Sequence, residues 1–344
     1  MTSARNHCRQ KRLCFMAAGL GLLLALPGSA RAADHVKIGI QRVMGYPGVP
    51  VAMAHGYFAA EGIEPELVFF DAAQPTAVAV ASGRIDFGVA GISAAFYELA
   101  SGGRLRLIAS SCSEAPGFRN LALFESNEAY RRGLDTVRKL TGHSVAITQF
   151  GSGLEYEVGM IAEKNQLAFE TLTLKALQSN GNIISALEGA AVDAAVMPGT
   201  PGLGPLDAGK LHLLGWVGDL ADRAMVSAAV VSQPVDDHKP ALVERFLRAY
   251  RRGLHDFHDA FADAMDHRRD GPTAPAMLAI MSEFTGVPAV KLARAVPFAD
   301  PEGRISMDDL AHQIDWHVAH GRIKNPIDPA SIVDKRFVAL ATSR

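Results

Sequence analysis

The chain between residues 35 and 110 alternates short apolar segments with alanine-rich ones. Val36, Ile38 and Ile40 alternate with Lys37 and Gly39, which is the two-residue period of a strand with one buried face. The same reasoning predicts strands at 66–70, 86–89 and 105–109, separated by helices that end near residue 62 or span 75–82 and 93–100. Alternating strands and helices predict a mostly parallel sheet with helices on both faces.

A second segment repeats this organisation between residues 144 and 196. Its pattern predicts strands at 144–148, 171–176 and 193–196 and helices at 154–165 and 183–188. The phrases SGRIDFGVAGIS and EGAAVDAAVMPGT, which begin at Ser82 and Glu188, each end a helix, turn at an aspartate and enter a strand of small residues. We interpret Asp86 and Asp193 as structural, because a turn aspartate accepts local backbone N–H groups. The repeat predicts two α/β lobes of one design.

After residue 217 the pattern becomes mostly helical. One more apolar run at 225–231 predicts a strand, and helices are predicted at 238–265, 274–284, 289–296 and 307–320. No low-complexity linker separates the lobes, so we expect two short crossings between them, near 110–120 and 224–232. We assign 33–115 and 228–344 to lobe 1, with the helical tail, and 116–227 to lobe 2.

The first residues form a leader that changes the charge of the mature chain. Four basic residues precede the uncharged run 13–26, and Ala-Arg-Ala ends at residue 32, which is the pattern of a secretory signal peptide. The run is too short for a comfortable membrane span. We predict that 1–32 are removed after export to the periplasm. Five basic and no acidic residues lie there, so the net charge moves from −2 to −7, which argues against a nucleic-acid partner.

Familiar motifs of catalysis and metal binding are missing from the sequence. It contains no P-loop, GxSxG, HExxH or paired cysteines, and Cys112 is the single cysteine after the leader. His255 and His258 follow several arginines, and we interpret them as part of a solvated helix face rather than a zinc site. We therefore predict no catalytic residue, no metal and no cofactor.

Two serines follow predicted strand ends and begin predicted helices. Ser152 lies in Gly151-Ser152-Gly153, and Ser93 follows Gly91. Each offers a hydroxyl and the N–H groups of a helix N-terminus, a site for an anion or polar group at the edge where open α/β sheets bind ligands. Alternatively, each serine only caps its helix.

Two further side chains are candidates with open alternatives. Arg119 lies in an expected crossing, where it would clamp a ligand carboxylate or pair with a neighbouring acid. Tyr46 follows the first strand, where it would stack on a planar ligand or pack on its own loop.

Several phrases together resemble one family. They are VKIGIQ, PVAMAHGYFAAEGIEPELVFF, AVASGRIDFGVAGISAAF, SVAITQFGSGLEYEV and ALEGAAVDAAVMPG, which lie within residues 35–235. They are similar to periplasmic solute-binding proteins of ABC importers for nitrate, taurine and aliphatic sulfonates, grouped with thiamine-pyrimidine binders. The resemblance implies a two-lobed α/β fold of type II, with two mostly parallel sheets, helices on their faces and a two-segment hinge. With Arg119, the ligand-binding positions are then Gly45, Tyr46, Gly91, Ile92, Ser93, Gln149, Gly151, Ser152, Gly153, Pro198, Gly199 and Thr200.

The resemblance also implies a function. We expect a monomeric binding protein that captures a small organic anion, such as a sulfonate or aromatic acid, or a pyrimidine-like solute, and delivers it to an ABC permease in the inner membrane. The alternatives are a ligand-sensing module for a signalling receptor and a secreted α/β enzyme. A eukaryotic branch of the family makes pyrimidine with a cysteine-rich motif, and this chain lacks those cysteines.

Overall fold

The computed structural model describes residues 32–339, so the first 31 residues of the predicted leader lie outside the described residues. The strands are β1 Asp34–Ile40, β2 Ile63–Phe69, β3 Phe87–Gly91, β4 Leu105–Glu114, β5 Leu121–Ser126, β6 Ser144–Ile147, β7 Thr173–Ala176, β8 Ala194–Pro198, β9 Leu211–Trp216 and β10 Ala224–Ser232. The helices are α1 Gly48–Ala54, α2 Tyr57–Ala60, α3 Ala73–Ala81, α4 Ala94–Ser101, α5 Asn127–Arg131, α6 Gly153–Lys164, α7 Asn180–Glu188, α8 Gly199–Asp207, α9 Val217–Leu220, α10 Gln233–His238, α11 Pro240–Phe261, α12 Ala274–Thr285, α13 Ala289–Leu292, α14 Met307–Ala319 and α15 Pro329–Ile332.

The strands form two five-stranded sheets. Their orders are β2-β1-β3-β10-β4 and β7-β6-β8-β5-β9. In the first sheet β1 runs parallel to β2 and β3, and β10 runs antiparallel to β3 and β4. In the second, β6 runs parallel to β7 and β8, and β5 runs antiparallel to β8 and β9. Each sheet is therefore mostly parallel, as predicted, with one strand running against the others.

The antiparallel strand of each sheet is the one on which the chain arrives from the other sheet: β5 in the second sheet and β10 in the first. The chain leaves the first sheet after Glu114, enters the second at Leu121, and returns between Trp216 and Ala224. The sequence pattern did not predict β5 or β9. The predicted helix 238–265 is α11, which begins at Pro240 and ends at Phe261; the short helix α10 precedes it, and Pro240 cannot donate the backbone hydrogen bond that would join the two.

Asp86 and Asp193 hold equivalent places in the two sheets. A side-chain oxygen of Asp86 accepts the N–H of Lys37 at 2.9 Å, and one of Asp193 accepts the N–H of Ser144 at 2.9 Å. Each pair is 49 residues apart along the chain. The structural interpretation of both aspartates is confirmed, but the N–H that each accepts belongs to the neighbouring parallel strand rather than to the local turn.

Two C-terminal helices complete the cores. The apolar face of α11 packs on the first sheet, where Phe246 stacks on Phe87 with ring centroids 4.0 Å apart. Helix α14 contributes to both cores: Ile314 lies in a cluster beside the first sheet, whereas Trp316 packs against α6 in a cluster beside the second. The helical tail is thus part of the interior as well as of the surface.

Candidate functional site

The carboxyl ends of strands from both sheets meet around one cavity. Gln41 follows β1, Gly91 ends β3, Thr148 follows β6 and Pro198 ends β8. The cavity encloses about 90 Å³. Its wall is formed by Gln41, Tyr46, Asp71, Ala72, Ala73, Gly91, Ile92, Ser93, Leu121, Thr148, Gln149, Ser152, Gly153, Leu154, Asn180, Pro198 and Val226. We call this space the inner cavity; it lies where open α/β sheets bind their ligands.

Five helices begin at the wall of the inner cavity. Ala73, Gly153 and Asn180 are the first residues of α3, α6 and α7, and Ser93 and Pro198 immediately precede α4 and α8. The first N–H groups of a helix have no partner within that helix, and the helix dipole is positive at this end. The backbone therefore makes the inner cavity favourable for an anionic or hydrogen-bond-accepting group.

Ser93 and Ser152 contact each other through their backbones. They form an isolated antiparallel bridge between the two halves, and the N–H of Ala94 donates to the carbonyl of Gly151 at 2.8 Å. The Ser93 hydroxyl accepts the N–H of Phe96, and the Ser152 hydroxyl accepts that of Glu155. Both serines are buried. Each therefore caps its helix while also lining the inner cavity.

The loop before α6 is held by a buried carboxylate. One oxygen of Glu155 accepts the N–H of Gly151 at 2.5 Å, and the backbone N–H of Glu155 donates to the Ser152 hydroxyl. Both oxygens of Glu155 also accept hydrogen bonds from the guanidinium of Arg322, which follows α14. Since the Glu155 side chain is fully buried, Arg322 supplies the counter-charge that burial requires. This ion pair ties α6 to the C-terminal segment.

Tyr46 is fixed by hydrogen bonds at the floor of the inner cavity. Its hydroxyl donates to the side-chain oxygen of Gln41 at 3.0 Å. Burial, followed by the nearby Cys112, raises the pKa of Tyr46 well above its ordinary value, so the phenol stays neutral. Because the oxygen of Gln41 is occupied by Tyr46, the amide group of Gln41 has its N–H donors left for a solute.

A larger space opens outward from the inner cavity. We call it the outer cleft; it encloses about 610 Å³. Its wall is formed by Gln41, Arg42, Val43, Phe69, Phe70, Asp71, Ser179, Asn180, Gly181, Thr200, Pro201, Thr285 and Val287. Gln41, Asp71 and Asn180 line both spaces, so they stand where the outer cleft meets the inner cavity. The two spaces together are of the size that small-molecule sites usually have.

The sequence motifs that surround this site are those of a known family. The NMT1/THI5-like family model matches residues 46–261, which include β3, α4, β6, α6 and β8. This chain belongs to the NMT1/THI5-like family. No curated protein matches the chain in sequence.

Solved structures place this NMT1/THI5-like chain in a common fold. A ligand-binding component of an ABC-type import system from Staphylococcus aureus, with zinc bound, has a TM-score of 0.73 at 14% identity and covers 88% of this chain and 97% of its own. The aliphatic sulphonate-binding protein SsuA from Escherichia coli has a TM-score of 0.67 at 18% identity, covering 90% and 95%. The alkanesulfonate-binding protein SsuA from Xanthomonas axonopodis pv. citri, bound to MOPS, has 0.68 at 18%, covering 88% and 99%. The likeness establishes the two-lobed periplasmic-binding-protein fold.

The structure of this NMT1/THI5-like protein brings most of the predicted site residues to one place. The wall of the inner cavity contains Tyr46, Gly91, Ile92, Ser93, Gln149, Ser152, Gly153 and Pro198. Thr200 lies in the wall of the outer cleft. Gly45, Arg119, Gly151 and Gly199 line neither space. The N–H of Arg119 donates to Val296, and its guanidinium carbon lies 5.8 Å from the centre of the Trp216 ring.

Sequence reasoning did not select several wall residues. The polar ones are Gln41, Asp71, Thr148 and Asn180. Asp71 lies in the turn between β2 and α3, and Asn180 is the first residue of α7, directly after the turn that follows β7. The signal that could have identified them is their position, because every βα turn of a parallel sheet opens at the same edge as those of β1, β3, β6 and β8.

Reactive and metal-binding groups are sparse in the described part of the chain. Residues 32–339 contain no group of three histidine, cysteine or carboxylate side chains placed to hold a metal ion. His255 is exposed, but the His258 side chain is only 10% exposed and bonds to Asp266, so the interpretation of His258 as solvated was wrong. Burial is the main cause that raises the pKa of Cys112 to about 12. Among the same residues, no helix has the length and apolarity that crossing a bilayer requires.

Proposed function

We propose that this protein is the solute-binding component of an ABC importer. It would capture a small organic anion, such as a sulfonate or aromatic acid, or a pyrimidine-like solute, and deliver it to a permease in the inner membrane. One observation carries the proposal: the inner cavity is enclosed by strand ends of both sheets and by five helix N-termini. The sulfonate-binding proteins of the same fold support an anionic solute.

The chemistry of the wall supports binding rather than catalysis. Neither the inner cavity nor the outer cleft has a histidine or cysteine in its wall. The hydroxyls of Ser93 and Ser152 accept N–H groups of their own helices, and no histidine of the wall stands beside them to remove a proton. What these residues offer together is shape, apolar contact and a set of fixed hydrogen-bonding groups.

A thermal-shift panel on the mature chain tests the proposal. Residues 33–344 would be screened against sulfonates, aromatic acids and pyrimidines. A solute present at a hundred times its dissociation constant stabilises the folded state by about 2.7 kcal/mol, which is readily measured. We expect at least one class to raise the midpoint of unfolding in a concentration-dependent way. A panel without any stabilising member would contradict solute capture of these classes.

We further propose that the lobes close on the solute. The assignment of 33–115 with 228–344 to lobe 1 and of 116–227 to lobe 2 remains our proposal, with bending at the two passages of the chain between sheets. Support comes from the contact of Ser93 with Ser152, since a solute between the helix N-termini is enclosed only when both halves meet. Small-angle scattering should give a smaller radius of gyration with a bound solute; equal radii would contradict closure.

Export and assembly are separate parts of the proposal. We propose that the leader directs the chain to the periplasm and that the mature protein, beginning near Ala33 or Asp34, acts as a monomer beside its permease. Intact-mass measurement of the exported form would give its first residue, and light scattering its oligomeric state. A mass that includes Met1, or a stable dimer, would contradict the respective part.

A further inference from the structure

Three acids lie where the chain passes between the two sheets. Glu114 is the last residue of β4, from which the chain leaves the first sheet. Glu157 lies on α6, which packs beside the second sheet, and Asp309 lies on α14. We call these three residues the passage acids. Because they come from both halves of the fold, a movement of one half against the other changes their surroundings.

Two of the passage acids are hydrogen-bonded to the passages themselves. One carboxyl oxygen of Glu114 accepts the side-chain N–H of Asn120 at 2.8 Å and the backbone N–H of Leu121, the first residue of β5, at 3.1 Å. A carboxyl oxygen of Asp309 accepts the backbone N–H of Met225, near the start of β10, at 2.7 Å. Glu114 thus spans the passage into the second sheet, and Asp309 holds the strand on which the chain returns.

Two carboxyl oxygens of the passage acids lack a donor. Glu114 and Glu157 are 1% and 2% exposed, and the Oε2 atom of each has no hydrogen-bond partner among the described residues. A buried acceptor without a donor destabilises a fold, and such groups are rare. An ionised carboxylate only accepts hydrogen bonds, whereas a protonated carboxyl also donates one. A proton would therefore supply the donor that these surroundings lack.

The neighbouring charges do little to stabilise three anions. The other titratable or charged side chains around the passage acids are Tyr97 on α4, Cys112 on β4, Tyr156 on α6, Asp219 on α9, Asp222 and Arg223 before β10, and His312 on α14. The guanidinium carbon of Arg223 lies 4.2 Å from the ring centre of Phe298. The acids thus share their surroundings with further acids and with one arginine that packs on an aromatic ring.

These surroundings favour the neutral forms of the passage acids. Burial is the main cause that raises the pKa of Glu114 to about 7 and that of Asp309 to about 6, and burial followed by these two acids raises the pKa of Glu157. If the halves separate and water enters, each pKa returns toward its ordinary value near 4. The acids therefore favour the closed arrangement fully below about pH 4, and this preference is lost as pH rises through about 6 to 7.

We propose that the passage acids make the hinge proton-sensitive: protonated, they hold the two halves closed, and their ionisation separates the halves so that water reaches the carboxylates. Water then donates to the oxygens that the closed fold leaves without partners. Solute capture is consequently tighter at acidic than at alkaline pH, although none of the three acids lines the inner cavity or the outer cleft. The inference rests on the proposed closure of the lobes and adds its control by pH.

Small-angle scattering of solute-free residues 33–344 at pH 5 and pH 8 tests the proposal. We expect a larger radius of gyration at pH 8. Glu157→Gln should keep the smaller radius at both pH values, because an amide of the same shape cannot ionise. Glu114→Gln is a second variant in case the first does not fold; its amide keeps an oxygen for Asn120 and Leu121, and it should also reduce the change.

Glu125→Gln is the matched control. Glu125 is 2% exposed, its Oε2 atom has no hydrogen-bond partner, and burial followed by Asp135 raises its pKa to about 7. It differs from the passage acids in position, because β5 pairs at this residue with β8 and β9 of the same sheet. Its ionisation therefore affects stability without affecting the hinge, and the variant should keep the parental change in radius.

Calorimetric titration with propanesulfonate and benzenesulfonate measures the consequence for binding. Both probes remain anionic from pH 5 to pH 8, so their own ionisation does not contribute. Since each unit of raised pKa corresponds to about a tenfold effect, we expect a probe that binds to bind about tenfold more weakly at pH 8, and Glu157→Gln to lose most of this difference.

The outcomes separate the hinge from solute capture. Equal radii of the parent at the two pH values, or a parental change in radius in both glutamine variants, would overturn the proton-sensitive hinge. If the radius changed with pH as expected but neither probe bound the parent, capture of sulfonates would be contradicted and the hinge would stand.

Discussion

The N–H of Ala94 donates to the carbonyl of Gly151 over 2.8 Å, which joins the start of α4 to the loop that precedes α6. Ala94 belongs to the half built on the first sheet and Gly151 to the half built on the second. Backbone groups approach this closely only where side chains leave room. A Cβ atom added to Gly153 would lie 2.8 Å from the carbonyl oxygen of Ile92, a distance that side-chain carbons essentially never show.

We predict that Gly153→Ala weakens solute binding by at least tenfold, because the added methyl group meets rigid backbone and holds the two halves apart. Calorimetric titration with a solute identified by the thermal-shift panel measures the effect. Gly204→Ala is the matched control: Gly204 lies in α8 with nothing within 4 Å of an added Cβ atom, and the change should leave affinity unaltered. Equal affinity of parent and Gly153→Ala would show that this contact plays no part in capture.

We predict that Ser93→Ala and Ser152→Ala each lose both stability and affinity. Removing an N-cap oxygen costs about 1 kcal/mol of unfolding free energy, and the same change removes a hydroxyl from the wall of the inner cavity. Urea unfolding and titration are measured in parallel. Ser126→Ala separates the two effects, because Ser126 caps α5 by accepting the N–H of Ala129 and lines neither space. If Ser93→Ala and Ser152→Ala behave like Ser126→Ala and keep parental affinity, both serines act only as helix caps.

We predict that Arg322→Gln lowers the unfolding free energy by about 3 kcal/mol, because it leaves the fully buried carboxylate of Glu155 without its counter-charge. Arg131→Gln breaks an ion pair with Glu128 whose side chains are 67% and 42% exposed, and it should cost far less because solvent screens the pair. Urea unfolding of both variants gives the comparison. Similar losses in the two variants would mean that the Glu155 pair contributes no more than a surface pair.

We predict that the free energy of unfolding decreases as pH rises, because of the three passage acids. Burial raises the pKa of Glu114 to about 7 and that of Asp309 to about 6, and burial together with these two acids raises the pKa of Glu157 well above its ordinary value. Groups with a raised folded-state pKa stabilise the protein fully below their unfolded values near pH 4, and this contribution is lost as pH rises through about 6 to 7.

Glu157→Gln should therefore stabilise the protein at pH 8 more than at pH 5, since the amide cannot ionise and one carboxyl oxygen of Glu157 is buried without a hydrogen-bond partner. Urea unfolding at both pH values measures the difference. Glu163→Gln, an exposed position on the same helix, is the control and should show no such dependence. A variant whose stability follows that of the parent across this range would place the ionisation elsewhere.

The two-lobed architecture could be predicted from the sequence, but the direction of every strand could not. The repeated turn around Asp86 and Asp193 was sufficient to predict two α/β lobes, because helix-to-strand periodicity is local. It did not predict β5, and it did not predict that β10 runs antiparallel, since an apolar run has the same pattern in either direction. Pairing partners are decided by how the chain passes between the sheets, which is a property of the whole fold.

The site was predictable where a glycine-rich turn marked it and not elsewhere. Gly91 to Ser93 and Ser152-Gly153 stand out in the sequence because small residues beside a strand end permit close approach. Asp71 and Asn180 look like ordinary polar residues beside turns, and they line the same two spaces only because loops of both sheets meet there. Arg119, chosen for its charge, instead lies near Trp216, outside both spaces.

Helix α14 has a consequence for how the gene can be divided. The recognisable family signature ends at residue 261, yet Leu310 and Ile314 fill the core beside the first sheet and Trp316 fills that beside the second. A gene fragment trimmed to the signature would therefore encode two sheets with apolar faces open to water, along with the loss of β1. We expect natural fusions and truncations of this protein to leave the chain intact through the end of α14. The segment that must be inherited together therefore extends well beyond residue 261, where the family signature ends.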